Sequence, residues 1–350
     1  MTVVNRFIKN FGWPRIIIGL FLLVLFIIGP FFGVKTVSSI NNVLVRFGMN
    51  GVLVLSMVPM IQSGCGLNFG IPVGIIAGLI GAVTSLELHA TGWYGIFIAI
   101  AIAVVCAAIF GFLYGILLNK VKGDEMIIAT YVGYSFVFFM NIMWLVLPYR
   151  NPSSVQGFKG EGLRVTISVG DYWIHKISDF LSFEITKGLE IKTGMFLFFG
   201  IMCLLVWGFF KTKIGTAVTA VGSNPEYARA AGINVNKMRT ISVVISTVVA
   251  SIGIIIYQQS FGFIQMFNAS LFFTFPSVAA ILLGGASINK ATITNVIIGT
   301  LLFQGILTMT PTVMSGITSS LSEVSNDTTE IIRLILSNGL IVYALTRKAR

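Results

Sequence analysis

Residues 95 to 118 read GIFIAIAIAVVCAAIFGFLYGILL, a run from Gly95 to Leu118 without a single Asp, Glu, Lys, Arg or His. At about 1.5 Å of rise per residue, a helix over this run covers the roughly 30 Å hydrocarbon core of a bilayer. Lipid offers no partner to a free peptide group, so a helix that pairs every one internally is the form such a run takes. The pattern repeats outward in both directions. Further apolar runs lie near 15 to 33, 43 to 63, 68 to 87, 126 to 148, 193 to 210, 240 to 260, 275 to 289, 292 to 310 and 329 to 346. The whole chain agrees: of 350 residues, 56% are hydrophobic and 10% charged, and the mean hydropathy is +0.93. Soluble domains do not have this composition. The fold class is therefore all-α, a polytopic transmembrane helical bundle of about ten spans, forming one domain over residues 1 to 350. The eighth run is short, and the gap between the fifth and sixth leaves room for a re-entrant piece.

Lys and Arg orient the bundle. With a cytoplasmic N-terminus, the inside segments hold Arg6, Lys9, Arg15, Lys120, Lys122, Lys211, Lys213, Arg229, Lys237, Arg239, Lys290, Arg347, Lys348 and Arg350, fourteen of the 23 basic residues. Both termini then read as cytoplasmic. The net charge of +11 becomes positive-inside bias, and nucleic-acid binding is not needed to explain it. The first run follows Arg6, Lys9 and Arg15 as a signal peptide would, but Gly29-Pro30-Phe31-Phe32-Gly33 lacks a small-residue cleavage site, so it reads as an uncleaved span. Cys65, Cys106 and Cys203 have no metal or redox spacing and read as inert small hydrophobes.

Gly66, Gly70, Gly74 and Gly78 recur every fourth position, which places one glycine row on one face of the third span. Gly111 and Gly115 repeat the spacing in the fourth, and such rows let backbones approach closely. Pro72 falls inside the first row, so the start of that span is kinked or unwound, either as plain packing or as a break lining a path. In the outer segment, 149 to 192, Trp173, Ile174, Ile177, Phe180 and Leu181 keep helical spacing, with Asp171, His175, Lys176 and Asp179 between them. An amphipathic helix on the outer membrane face is expected there. It would act either as an interfacial anchor, with Tyr172 and Trp173 in the aromatic belt, or as a landing place for a partner.

One polar stretch interrupts the apolar chain within the inner loop 211 to 239: Gly222-Ser223-Asn224-Pro225-Glu226-Tyr227-Ala228-Arg229-Ala230-Ala231-Gly232-Ile233-Asn234-Val235. Asn224 suits an N-cap, Pro225 the first helical position and Glu226 the positive helix end, while Gly232 suits a left-handed stop. About two turns of helix result, too short to persist in water unaided. The helix therefore rests either on its own chain or in the grip of a partner subunit.

Catalytic chemistry is absent. His89 and His175 stand alone, and the runs carry almost no ionisable residue; Arg46, Glu87 and Arg333 lie near span ends, with Glu330 one turn from Arg333. The nearest approach to a phosphate loop, Gly285-Ala286-Ser287-Ile288-Asn289-Lys290-Ala291, has Asn for the second glycine and Ala where a magnesium-binding hydroxyl belongs. What the spans do hold is neutral and polar: Asn50, Gln62, Asn68, Asn141, Gln258, Gln259, Asn268, Gln304 and Asn338, beside Trp144, Tyr131, Tyr134 and Tyr257. Amides and rings suit the passage of an uncharged polar solute, and they equally suit hydrogen bonding between helices. Asn50, Gln62, Asn68, Asn141, Trp144, Gln258 and Gln304 are the candidates for a path.

The stretch Gly222 to Val235, followed by a span and then Ala279-Ala280-Ile281-Leu282-Leu283-Gly284-Gly285-Ala286-Ser287, resembles the membrane permease subunits of ribose/galactose-type ABC importers. The matching positions are Gly222, Asn224, Pro225, Glu226, Ala228, Arg229, Gly232 and Ile233. The resemblance implies that Asn224 to Gly232 is a coupling helix seated in a cleft of a separate ATP-binding subunit. Glu226 and Arg229 would make the contacts, and Tyr227 and Ala230 would pack inward. Gly66, Gly70, Gly74, Gly78, Gly284 and Gly285 would serve helix packing. It also implies a bacterial cell membrane, a second permease chain, identical or not, and an extracytoplasmic solute-binding protein. ATP and magnesium would bind the partner, leaving this chain a transport subunit without a cofactor, for a cargo such as a simple sugar or nucleoside. Two departures bear on that cargo: Leu67-Asn68-Phe69-Gly70-Ile71-Pro72-Val73-Gly74 where a D-L-S-V-G stretch is usual, and Asn289-Lys290-Ala291 where further glycines are usual. The competing reading is a stand-alone secondary carrier or channel built around the glycine-rich third span.

Overall fold

The computed structural model describes residues 13–121, 123–155, 162–186 and 189–320, together with 331, 334–335 and 338–339. Helix α1, Trp13–Ile28, ends in a 3-10 turn, Gly29–Phe32. Helices α2, Thr36–Leu55, and α3, Met57–Gln62, share one crossing, which begins at Thr36 rather than near 43. Pro59 accounts for the break between them, because its ring crowds the carbonyl four residues back and it has no N–H to give. Next come α4, Ile71–Glu87, α5, Gly92–Lys120, and α6, Glu125–Val146. After the outer segment follow α7, Thr193–Lys211, α8, Lys213–Ser223, α9, Pro225–Ala230, and α10, Val235–Phe261. A 3-10 stretch, Phe267–Phe273, leads into α11, Thr274–Leu283, and then α12, Ile293–Ser320.

Seven helices among the described residues are long and apolar enough to cross a membrane, and the third and eighth runs form shorter apolar helices. The run 329 to 346 lies largely outside the described residues, as do Glu330 and Arg333. Loops gather at two ends of the bundle. At one, Gly64 meets Gly222 and the Gln62 amide donates to the Ala291 carbonyl. At the other, Glu87 accepts the N–H groups of Arg150 and Asn151, and Val169 donates to the Gly262 carbonyl. Successive segments therefore alternate in direction.

The run that opens the sequence shows why these helices pack. Gly95, Ala99, Ala103, Ala107, Gly111 and Gly115 of α5 are all buried, while Phe97, Val105, Ile109, Phe112 and Leu113 are exposed, as a lipid-facing side requires. Small residues every fourth position let neighbours approach to backbone contact. A Cβ on Gly81 of α4 would meet the Ala103 nitrogen at 2.8 Å, and one on Gly111 would meet Val244 of α10 at 3.0 Å. From the other side, Gly74 of α4 faces Thr247 and Ala250 of α10, and Gly78 faces Ser251 and Ile254. Helix α10 is thus the central post, packed on α2, α4 and α5.

The expected glycine row on the third span needs correction. Gly66 and Gly70 lie outside α4, in a non-helical elbow from 63 to 70; Gly70 caps the helix, Pro72 stands in its first turn and Gly66 has φ 76°. An elbow inside a membrane protein needs partners for its polar groups, and α10 and α5 supply some of them, with α10 also serving the break before α3. Ser246 donates to the Ser56 carbonyl at 2.6 Å and accepts from the Asn68 amide at 2.8 Å, while Ser242 donates to the Pro59 carbonyl. Asn68 Oδ1 accepts from the Gly70 N–H at 2.9 Å and from the Tyr114 hydroxyl at 3.3 Å. At the α11–α12 crossing, a Cβ on Gly284 would meet the Gly299 nitrogen at 2.9 Å, and Gly285, at φ 88°, lies against the Arg15 side chain.

The outer segment departs further from expectation. Residues 170 to 181 form a run of turns, not an amphipathic helix, and Trp173 and Ile177 point into the core rather than into an aromatic belt. Helical spacing loses here because tertiary partners take the peptide groups. Gln259 of α10 accepts from the N–H groups of Ile177 and Ser178 and donates to the Ser178 hydroxyl, and its carbonyl accepts from the His175 N–H at 2.9 Å. Two small antiparallel pairs, also unforeseen, complete this end. Strand β1, Thr166–Ser168, pairs with β4, Phe263–Gln265, placing Ile167 opposite Ile264; β2, Phe183–Thr186, pairs with β3, Leu189–Ile191. Lys192 ties the turns to this hairpin through Asp179 at 2.7 Å and Glu190 at 2.9 Å. Burial acts to lower its pKa, yet the hydrogen bonds and charges of the two carboxylates outweigh burial and hold it above the usual lysine value.

Candidate coupling surface and solute path

The polar stretch folds as two capped helices laid across one end of the bundle. Thr212 caps α8 by accepting from the Gly215 N–H at 3.1 Å, and Asn224 caps α9 by accepting from the Tyr227 N–H at 3.0 Å. Pro225 occupies the first turn, Gly232 reverses the chain at φ 80°, and Asn234 caps α10 through the Lys237 N–H at 3.0 Å. One side chain anchors α9 from below. Ala228 is fully buried among Val221, Ile233, Val235 and Met238.

This corrects the expected facing. Tyr227 and Ala230 point outward, Tyr227 being 71% exposed. At about 100° per residue, a helix of two turns can turn only one narrow face inward, and Ala228 occupies it. Glu226 and Arg229 are also exposed and pair with each other at 2.8 Å. An exposed pair of this kind contributes about 0–1 kcal/mol, so fold stability does not depend on it. Tyr227, Glu226, Arg229 and Ala230 together form an outward surface on a rigid mount.

That mount touches the elbow. The Gly222 backbone lies so close to the turn after α3 that an added Cβ would meet the Gln62 carbonyl carbon at 2.8 Å and the Gly64 nitrogen at 2.9 Å. Next to it, Arg239 of α10 reaches Glu125 of α6 at 3.0 Å and the Gly64 carbonyl at 3.2 Å, with both charged side chains 12% exposed. The end of α8 and the elbow before α4 are therefore in backbone contact.

The candidate path residues do not gather at one place. Gln62 ends α3 and Asn68 belongs to the elbow, and their amides bind backbone and side chains of the same bundle. Asn50 donates to the Arg46 carbonyl within its own helix at 2.9 Å, and Asn141 donates to Asn268 at 2.7 Å beside the 3-10 stretch. Trp144 is fully buried, its carbonyl accepting from the Leu163 N–H, and Gln304 is buried in α12. Gln258 is 2% exposed, and both of its amide atoms are buried without a partner. It lines a narrow crevice with Tyr257, Gln265 and Phe273. Sequence reading missed Gln265 and Phe273, as well as Glu125, Tyr114 and Gly64, because nothing local marks residues whose partners lie on distant helices.

The described residues thus form a bundle of apolar helices that alternate in direction, with a capped helical pair mounted at one end. Residues 39–343 match the family described as branched-chain amino acid transport system / permease component, and the chain belongs to that family. Among curated relatives, the ribose import permease protein RbsC of Escherichia coli strain K12 is 25% identical over 271 residues, covering 76% of each chain. The nucleoside ABC transporter permease protein NupB of Lactococcus lactis is 26% identical over 194 residues, 54% of this chain and 50% of that one. An uncharacterized protein of Mycoplasma pneumoniae, the MG121 homolog, is 32% identical over 158 residues, 45% of this chain and 44% of its own. No solved structure matches. The chain is a multi-pass membrane permease of the ABC importer class.

Proposed function

We propose that this chain is the membrane subunit of an ATP-driven importer in a bacterial cell membrane, carrying a small neutral polar solute such as a simple sugar or nucleoside by alternating access. The observation that carries the proposal is α9, whose exposed Tyr227, Glu226 and Arg229 stand on a mount that touches the elbow of the bundle. A short helix clamped between an ATPase and membrane helices passes on rigid-body movement. ATP and magnesium then belong to a separate ATP-binding subunit, a second permease chain completes the pore, and an extracytoplasmic binding protein delivers the cargo. Similarity to ribose and nucleoside permeases supports the cargo class. The positive-inside pattern supports placing α8 and α9, with both termini, on the cytoplasmic side.

The test uses the whole chain expressed with a candidate ATP-binding subunit of the importer type from the same source. The two are expected to co-purify in detergent, and vesicles holding the complex and the binding protein are expected to take up ribose or uridine only with ATP inside the compartment that faces α9. Ion-gradient-driven flux through this chain alone would instead establish a secondary carrier.

A further inference from the structure

Two neighbouring glutamines at the far end of α10 meet opposite fates. Gln259 uses both ends of its amide on the turn run 170 to 181. Gln258 is as deeply buried, yet its Nε2 and Oε1 are both unpaired. Burying an amide without partners is costly, and native proteins keep such groups mainly where something else completes them. Its surroundings are selective. The crevice that Gln258 lines is walled by Ile75 of α4, Ile254 and Tyr257 of α10, Gln265 of β4 and Phe273 of the 3-10 stretch, and none of these is charged. The Tyr257 and Phe273 rings meet edge to face, with centroids 4.8 Å apart.

We infer that Gln258, with Gln265 and the Tyr257–Phe273 pair, is a solute-contact site at the end of the permease opposite α9, selective for a neutral hydroxylated ring of the ribose type. This rests on the importer reading and gives its path one named place. An amide presents two donors and an acceptor, which match vicinal hydroxyls, and aromatic faces accept the apolar C–H face of a sugar ring. No charge in the lining would hold an ionic solute. The crevice walls approach too closely in this conformation to admit a ring, so occupancy requires segment 263–273 to withdraw from α10. Gly262, at φ 87°, is where the chain turns between them.

The experiment compares the wild-type complex, assembled with its ATP-binding subunit and binding protein in vesicles, with Gln258→Met, using labelled ribose and labelled uridine as separate probes. Methionine preserves length and removes the unpaired amide. The variant is expected to match or exceed the wild-type thermal midpoint, keep its ATP-binding subunit, and lose uptake by about tenfold or more, the factor one lost hydrogen bond allows. Uptake of ribose but not uridine, or the reverse, tells free sugar from nucleoside. Unchanged uptake by the variant overturns the assignment, and so does a sharp fall in its thermal midpoint, which would make the amide a paired structural group. Failure of the wild type to take up either probe refutes the ribose-ring assignment; if the ATP-binding subunit still co-purifies, the importer reading survives that failure, and if it does not, both fall.

Discussion

Replacing Arg239 by Met is expected to destabilise the protein by about 3 kcal/mol, because it leaves the Glu125 carboxylate without its guanidinium partner in a site where each side chain is 12% exposed. The pair is expensive to break from one side only. Arg239 also binds the Gly64 carbonyl at 3.2 Å, so its loss frees the elbow as well as stranding a charge. Removing both charges, with Glu125→Leu added to Arg239→Met, is expected to restore much of the loss, since an apolar pair of similar volume avoids the desolvation cost. Thermal unfolding of the wild type and the two variants in detergent provides the measurement. A single variant as stable as wild type would mean that the pair is solvated and does not hold α6, α10 and the elbow together.

The second large effect is expected at Gly222. A side chain there, as in Gly222→Val, has nowhere to go: its Cβ would lie 2.8 Å from the Gln62 carbonyl carbon and 2.9 Å from the Gly64 nitrogen, both backbone atoms that cannot rotate aside. The end of α8 must lift off the elbow. The outward face of α9 is untouched, so the ATP-binding subunit is expected to bind and hydrolyse ATP, while solute uptake falls by more than about tenfold, since misplacement of this order disrupts a path set by close packing. Parallel measurement of ATPase rate and uptake separates grip from transmission. Uptake at the wild-type level would show that the Gly222–Gly64 contact carries no movement.

What the sequence made legible was local. The run Gly95 to Leu118 announced a span by length alone, and Asn224, Pro225 and Gly232 announced a capped helix because caps act within a few residues of themselves. Pro72 signalled irregularity before α4, although the elbow extends back to residue 63 and its hydrogen bonds come from Ser246 and Tyr114 on other helices. Facing was not legible. Which side of α9 turns inward depends on where α8 and α10 lie, and that selected Ala228 over Tyr227 and Ala230. The spacing of Trp173, Ile174 and Ile177 was helical, but Gln259, more than eighty residues away in sequence, claimed the peptide groups a helix would have needed. Glu125 and Arg239, 114 residues apart, could not be paired by any local rule. Among many intramembrane amides, only the three-dimensional arrangement distinguishes Gln258, unpaired, from Asn68, bonded at both ends of its amide.

The central claim is that a separate ATPase moves this permease by gripping α9. Its most direct test is ATP-driven uptake of ribose and uridine by the complete complex carrying Glu226→Ala with Arg229→Ala. Both side chains are exposed and bound only to each other, so the fold is expected to keep its thermal midpoint. Uptake is predicted to collapse while the variant chain remains folded in the membrane; full uptake by the double variant would contradict the claim.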